Sequence, residues 1–201
     1  MVEALRVLVA EDEASVATAL EAQLRSLGCE VVGEAATGRG AVELAAKVRP
    51  EVVLMDIKMP DMDGIEAARM IAEQCPVPVV FLSGHFSDEL LEEVISVGGM
   101  AYLLKPASAE QLQAAFNLAR KRFAEMRDLR SQVDKLKEAL EARKLITRAK
   151  GLLMARHGIG EEEAHRRMQK EASRSNTKLV DLARAILAAG AFVGGKETGG
   201  S

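Results

Sequence analysis

The sequence predicts an α/β fold, a doubly wound sheet of five parallel strands, followed by an all-α C-terminal part. Three observations point there. Five short apolar runs alternate with helical patterns at βα spacing. Four of the runs end in an acid, a hydroxyl or a lysine at a turn. No Gly or Pro falls between Pro106 and Gly151, so a single long helix leads out of the alternating region.

The elements follow in order. The first strand is expected over 5–10 and ends in Glu11-Asp12; a helix over 14–27 is closed by Gly28. A strand over 30–36 leads to a helix over 38–48, and Pro50 separates that helix from a strand over 51–55. Helix 64–74, strand 77–82, helix 87–97 and strand 101–104 complete the alternation. Near-continuous apolar strands of this kind are buried on both faces, which requires helices on both sides of the sheet.

The most informative stretch is Met55-Asp56-Ile57-Lys58-Met59-Pro60-Asp61-Met62-Asp63-Gly64, where an aspartate closes an apolar run and a Pro/Gly-punctuated loop follows. In open α/β sheets, ligands bind outside the carboxyl ends of the strands. Glu11, Asp12 and Asp56, with Ser83 and Lys105, stand at four such ends and converge on one sheet edge. Crowded carboxylates repel one another, and a hard divalent cation with oxygen ligands relieves this; Mg²⁺ suits one or two carboxylates plus waters and phosphate oxygens. Asp56 is then placed to attack phosphorus as a carboxylate nucleophile, with Ser83 and Lys105 offering a donor and a cation to the phosphoryl oxygens. Lys105-Pro106 is a candidate cis bond.

These spaced residues, over about 4–120, resemble the receiver domain of bacterial two-component response regulators, a flavodoxin-like fold. The resemblance implies that Asp56 is the phospho-acceptor and that a sensor histidine kinase is the donor. It further implies that Glu11, Asp12, Asp56 and the backbone carbonyl of Lys58 hold Mg²⁺, that Ser83 and Tyr102 form a switch pair, and that Lys105 contacts the phosphoryl group. The first acid of the pair is Glu where Asp is usual, which leaves the ligand chemistry intact.

Composition bounds the rest. At 201 residues, 48% hydrophobic and 28% charged, the chain has room for one large or two small globular domains. No apolar run reaches membrane-span length and the N-terminus lacks a signal-peptide layout, so a cytoplasmic protein without membrane attachment is expected. Cys29 and Cys75 are isolated thiols without CxxC spacing, as in a reducing compartment. Aromatics make up 3%, with no Trp, which disfavours aromatic base-stacking platforms. The net charge of −3 conceals a division: residues 1–118 carry −11 and residues 119–201 carry +8. The acidic part fits a cation site and the basic part a polyanion.

Positions 119, 126, 129, 133, 136 and 140 carry Ala, Met, Leu, Val, Leu and Leu, the three-and-four spacing of a coiled coil, interrupted by Arg122 with Phe123 beside it. From about residue 141 a three-helix pattern begins. Its helices are expected near 141–157, from Glu161 to about Ser173 behind three acids that favour a helix start, and after Ser175-Asn176-Thr177 to a point before Gly190. The domain plan is therefore 1–120, a coiled-coil linker 121–140, a bundle 141–190 and a Gly-rich flexible tail 191–201.

Residues 141–190 hold 11 Lys and Arg against 6 acids. Ala149-Lys150-Gly151-Leu152-Leu153-Met154, then Glu163-Ala164 and Ala172, then Asn176-Thr177-Lys178-Leu179 with Ala183, resemble the ANTAR domain, an RNA-binding output module of transcription antitermination regulators. His165 departs from it, standing where an aromatic or large apolar residue is usual. The resemblance implies dimers that bind paired hairpins in leader RNA. Arg148, Lys150, Arg167 and Lys170 are the expected phosphate contacts, and Gly151, mid-helix, marks either close RNA approach or close helix packing. The whole is expected to be a regulator rather than an enzyme, a homodimer when activated. DNA or an acidic protein is the alternative ligand of the basic bundle; a magnesium-dependent phosphatase using Asp61 and Asp63 is a weaker alternative, because that pair lies in the loop rather than at a strand tip.

Overall fold

The computed structural model describes residues 4–193. It divides into two compact units, the first through Asp128 and the second from Leu129.

The first unit contains β1 (Arg6–Ala10), α1 (Ala14–Ser26), β2 (Glu30–Ala35), α2 (Gly38–Val48), β3 (Val52–Asp56), α3 (Gly64–Gln74), β4 (Val79–Ser83), α4 (Asp88–Ser96) and β5 (Ala101–Leu104). The strands form one parallel sheet in the order β2-β1-β3-β4-β5. Alternation along the strands feeds two cores. Leu8, Ala10, Val53, Met55 and Phe81 face a layer that includes Ala41, Ala45, Ile65, Ile71 and Val94 of α2, α3 and α4. Val7, Val9, Val52, Leu54, Val80 and Leu82 face Leu20 and Leu24 of α1 and Leu112 and Phe116 farther along the chain. Because both faces are covered, β3 and β4 are buried at every position, which is why their sequences show no polar alternation.

Most expected boundaries agree to within a residue or two. The strands β3 and β4 extend one residue further than expected, so Asp56 and Ser83 are the last residues of their strands.

The helix after β5, α5 (Ala109–His157), is continuous for 49 residues and spans the division between the units. This is the expected single long helix, and it takes in the helix expected near 141–157 without a break, since no Gly or Pro stands near 140 to stop it. In the second unit α6 (Glu161–Arg174) and α7 (Leu179–Val193) pack with the end of α5 around Ala149, Met168 and Ala183. The third helix runs through Gly190 to Val193, since a lone Gly weakens a helix without ending it. The tail expected over 191–201 therefore loses its first three residues to α7, and 194–201 lie outside the described residues.

Leu129, Val133, Leu136 and Leu140 are exposed by 47–70% along α5. They share the seam predicted for the coiled coil.

Candidate functional site

The register of the sheet explains how residues far apart in sequence meet. Ala10 pairs with Met55, which brings Glu11 beside Asp56. Asp56 pairs with Leu82, and Ser83 with Leu104, which brings Ser83 and Lys105 to the same edge. One carboxylate oxygen from each of Glu11, Asp12 and Asp56 lies within 4.8 Å of the others. Glu11 and Asp56 are buried and Asp12 is exposed, so the cluster opens to solvent on one side.

Lys105 bridges the two buried acids. Its Nζ donates to Asp56 Oδ2 at 2.8 Å and lies 2.5 Å from Glu11 Oε2, an ion pair without aligned hydrogen-bond geometry. Burial pushes the Glu11 carboxyl above the usual carboxylate range; the charge of Asp56 adds to the rise, and Lys105 opposes it without cancelling it. Burial alone lowers the affinity of Lys105 for its proton, but the hydrogen bond to Asp56 and the charges of Asp56 and Glu11 outweigh it and hold the ammonium more firmly than usual. The peptide bond Lys105-Pro106 is cis, as expected.

Three carboxylates converging at one sheet edge, one of them disfavoured in its charged form by burial, are what a site for a hard cation looks like before the cation is counted. The donor set of three carboxylates fits Mg²⁺, a hard cation that takes oxygen ligands.

Two glycines shape the loop beneath Asp56: Gly64, which closes the Pro/Gly-punctuated stretch, and Gly38, at the start of α2. A Cβ on Gly64 would lie 2.0 Å from the Asp56 carbonyl oxygen, and one on Gly38 would lie 2.2 Å from that of Met62. Gly64 also donates its N–H to Ile57 O at 2.8 Å, and Asp63 caps α3 by accepting from Glu66 N at 2.7 Å. The Lys58 N–H points back at Asp56 Oδ1, at 3.4 Å.

Sequence inspection passed over His85. Its carbonyl accepts from Ser83 Oγ at 2.9 Å and from the Tyr102 hydroxyl at 2.5 Å. The two expected switch residues thus share one acceptor, and Tyr102 also meets Phe86 edge-on, with centroids 5.9 Å apart.

The basic residues of the second unit separate into two sets. Lys150 is ion-paired with Glu161 and keeps 16% of its side chain exposed, so it ties α5 to the start of α6. Arg167 is held by Glu163 at 2.8 Å, and Arg166 shares the same carboxylate. Arg148 and Lys170 are exposed and enter no ion pair among the described residues. Gly151 is also exposed, with nothing within 4 Å of an added Cβ; helix packing within the chain does not require it. His165 is half-buried and its Nδ1 has no partner among the described residues, which does not suit a stacking platform.

Comparison with known proteins agrees with this architecture. The family model described as "Response regulator receiver domain" matches residues 7–117, and that of the ANTAR domain matches residues 134–187. The Transcriptional regulatory protein PdtaR of Mycobacterium tuberculosis (strain ATCC 25618 / H37Rv) is 44% identical over 182 residues, 90% of this chain and 89% of that protein. Among solved structures, the response regulator domain of Thermotoga maritima CheB matches at 30% identity and a TM-score of 0.56, covering 59% of this chain and 98% of that one. The Vibrio cholerae chemotaxis protein CheY4 matches at 30% and 0.55, covering 58% and 99%. The chain belongs to the response regulators. Within that class it combines a receiver with an ANTAR output domain, so it is a regulator that acts in transcription antitermination by binding RNA.

No described helix is long and apolar enough to cross a membrane.

Proposed function

We propose that a sensor histidine kinase phosphorylates Asp56 in the cytoplasm, and that this favours a homodimer whose two ANTAR domains together bind a pair of RNA hairpins. An Asp56 oxygen attacks phosphorus as the bond from phosphorus to the kinase histidine nitrogen breaks, and the electron pair stays on that nitrogen. Glu11, Asp12, Asp56 and the Lys58 carbonyl would hold Mg²⁺, which when bound supplies positive charge to the phosphoryl oxygens. Lys105 is already charged and within reach of Asp56, so it offers a second cation without rearrangement.

The phosphoryl group brings roughly two negative charges to a buried edge. Ser83 Oγ exchanges its bond to His85 O for one to a phosphoryl oxygen, which removes one of the two donors on that carbonyl. Tyr102 is the other donor, so movement of Ser83 is felt at Tyr102 and hence at the surface formed by α4 and β5.

On the output side, the exposed seam of Leu129, Val133, Leu136 and Leu140 supports dimerisation through α5, because large apolar side chains at coiled-coil spacing gain by covering one another. Pairing of two output domains raises avidity for a two-hairpin RNA without any new contact.

The observation that carries the RNA contacts is the division of cations into paired and unpaired. Arg148 and Lys170 are the phosphate contacts to expect first; Lys150 and Arg167 must exchange a carboxylate for a phosphate to take part. Arg148→Ala and Lys170→Ala are each expected to weaken binding to a two-hairpin leader RNA about equally at every sequence, and to reduce the slope of log K against log salt by about 1. Titration at several salt concentrations measures both. Unchanged slopes for both variants would remove these residues from the interface.

A further inference from the structure

We propose that Glu161 and Glu163 compete with RNA phosphates for Lys150, Arg166 and Arg167, and so hold the affinity of a single output domain low enough that tight binding requires two. The proposal rests on the RNA-binding role of the second unit and concerns its regulation.

The first turn of α6 carries three consecutive acids, Glu161, Glu162 and Glu163. Acids there interact favourably with the positive end of the helix, and that account covers all three alike. The ion pairs do not treat them alike. Glu161 holds Lys150, which stands eleven positions earlier on α5. Glu163 accepts from Arg167 Nε at 2.8 Å and from Arg166 on its other oxygen. Glu162 is exposed and enters no ion pair among the described residues. Lys150 and Arg167 are two of the four cations expected to meet RNA phosphates, so the two acids stand where phosphates would have to come. Hydrogen bonds from Lys150 to Glu161, and from Arg167 and Arg166 to Glu163, hold both carboxyls below the usual carboxylate range, and both are anionic at neutral pH.

The strength of the pairs suits exchange. Arg166 and Arg167 are exposed, and exposed ion pairs are weak, so a phosphate can open them. Lys150 is partly buried, where an unpaired cation is unfavourable, so Glu161 also supplies its partner while no RNA is bound. Once a phosphate arrives, the displaced carboxylate remains on the same turn and repels it. Each such contact therefore gains less than one made to an unpaired cation such as Arg148 or Lys170.

The consequence falls on the number of domains that bind. Phosphate contacts supply much of the affinity of proteins for nucleic acid. A domain with all its cations free would hold one hairpin by itself, and phosphorylation of Asp56 would then change little. A domain weakened by its own acids binds well only when a second domain is held beside it at high effective concentration. The acids of α6 thus make RNA occupancy depend on pairing.

The three adjacent acids provide the test. Glu161→Gln, Glu162→Gln and Glu163→Gln each remove one negative charge from the same turn and keep the size of the side chain. Unphosphorylated full-length chains are titrated with one hairpin of a two-hairpin leader RNA at a single salt concentration, and thermal unfolding is recorded in parallel. Glu161→Gln and Glu163→Gln are each expected to bind about threefold more tightly than wild type, the double variant about tenfold, and Glu162→Gln to gain distinctly less than either. Glu161 also ties α5 to α6; Glu163, whose partners lie on its own helix, decides the matter if Glu161→Gln loses its fold. Unchanged or weaker binding by folded Glu163→Gln would overturn the proposal, since the acid would then position the arginines rather than compete for them. An equal gain by Glu162→Gln would also overturn it, as an effect of net charge alone. Failure of phosphorylated wild type to bind the two-hairpin RNA would instead overturn the RNA-binding role on which the proposal rests.

Discussion

Asp56→Ala takes up no phosphoryl group. Incubated with Mg²⁺ and labelled acetyl phosphate, wild type is expected to gain a base-labile label, and the variant to show none above background. The loss should be complete rather than partial. Glu11 lies beside Lys105 and Asp12 is the exposed member of the cluster, whereas Asp56 ends the central strand β3 with one oxygen on Lys105 and the other facing the Lys58 N–H. The variant should remain folded. Its loss leaves Lys105 paired with Glu11 and removes one carboxylate from a mutually repelling cluster, so no uncompensated buried charge is created. Labelling of Asp56→Ala at the wild-type level would show that another residue accepts the phosphate.

Gly64→Ala should damage the same site through the backbone. The added methyl group would sit 2.0 Å from the Asp56 carbonyl oxygen and 3.0 Å from the carbonyl carbon. The obstacle is main chain at the end of a strand buried at every position, so it cannot yield as the tip of a flexible side chain would. Either α3 or the end of β3 must move. Over-packing of this kind costs about 3 kcal/mol at its upper end. For a unit of this size that lowers the melting temperature by roughly 10 °C. A displacement of Asp56 by about 1 Å also slows transfer, by about 100-fold when alignment is lost. Gly151→Ala makes the contrast: it lies mid-helix in open space, and the exchange should stabilise the second unit by up to about 1 kcal/mol. Calorimetry on both variants measures the two signs. A Gly64→Ala protein as stable as wild type would mean that the packing under Asp56 has room for a methyl group.

Much of this was legible in the sequence, for identifiable reasons. Strands buried on both faces leave uninterrupted apolar runs, so β1, β3 and β4 announce themselves, and the residue that breaks each run marks the functional edge. That is how Glu11, Asp56, Ser83 and Lys105 could be named together before their register was known. The contributions made by main chain were not legible. His85 matters through its carbonyl, which any residue would supply, and Gly64 matters through the approach of a strand that is distant until the chain folds. The pairing of Lys150 with Glu161 was hidden for a similar reason. The two are eleven positions apart on different helices, and the turn that joins those helices decides whether they meet. The charge count of the second half was right in sign but could not show which cations were already engaged.

The helix boundaries show a different limit. A sequence can state where a helix is interrupted, because Pro and paired Gly are strong signals. The absence of both between Pro106 and Gly151 is what made the continuity of α5 legible, whereas the lone Gly190 did not mark the end of α7.

The most direct test of the central claim joins the two halves of the molecule in one measurement. Binding to a two-hairpin leader RNA is followed with and without acetyl phosphate and Mg²⁺, while light scattering reports the mass of the protein. The expected result is that RNA affinity and dimer mass rise together when Asp56 is phosphorylated. RNA binding of equal strength with and without phosphorylation, at unchanged mass, would contradict the account.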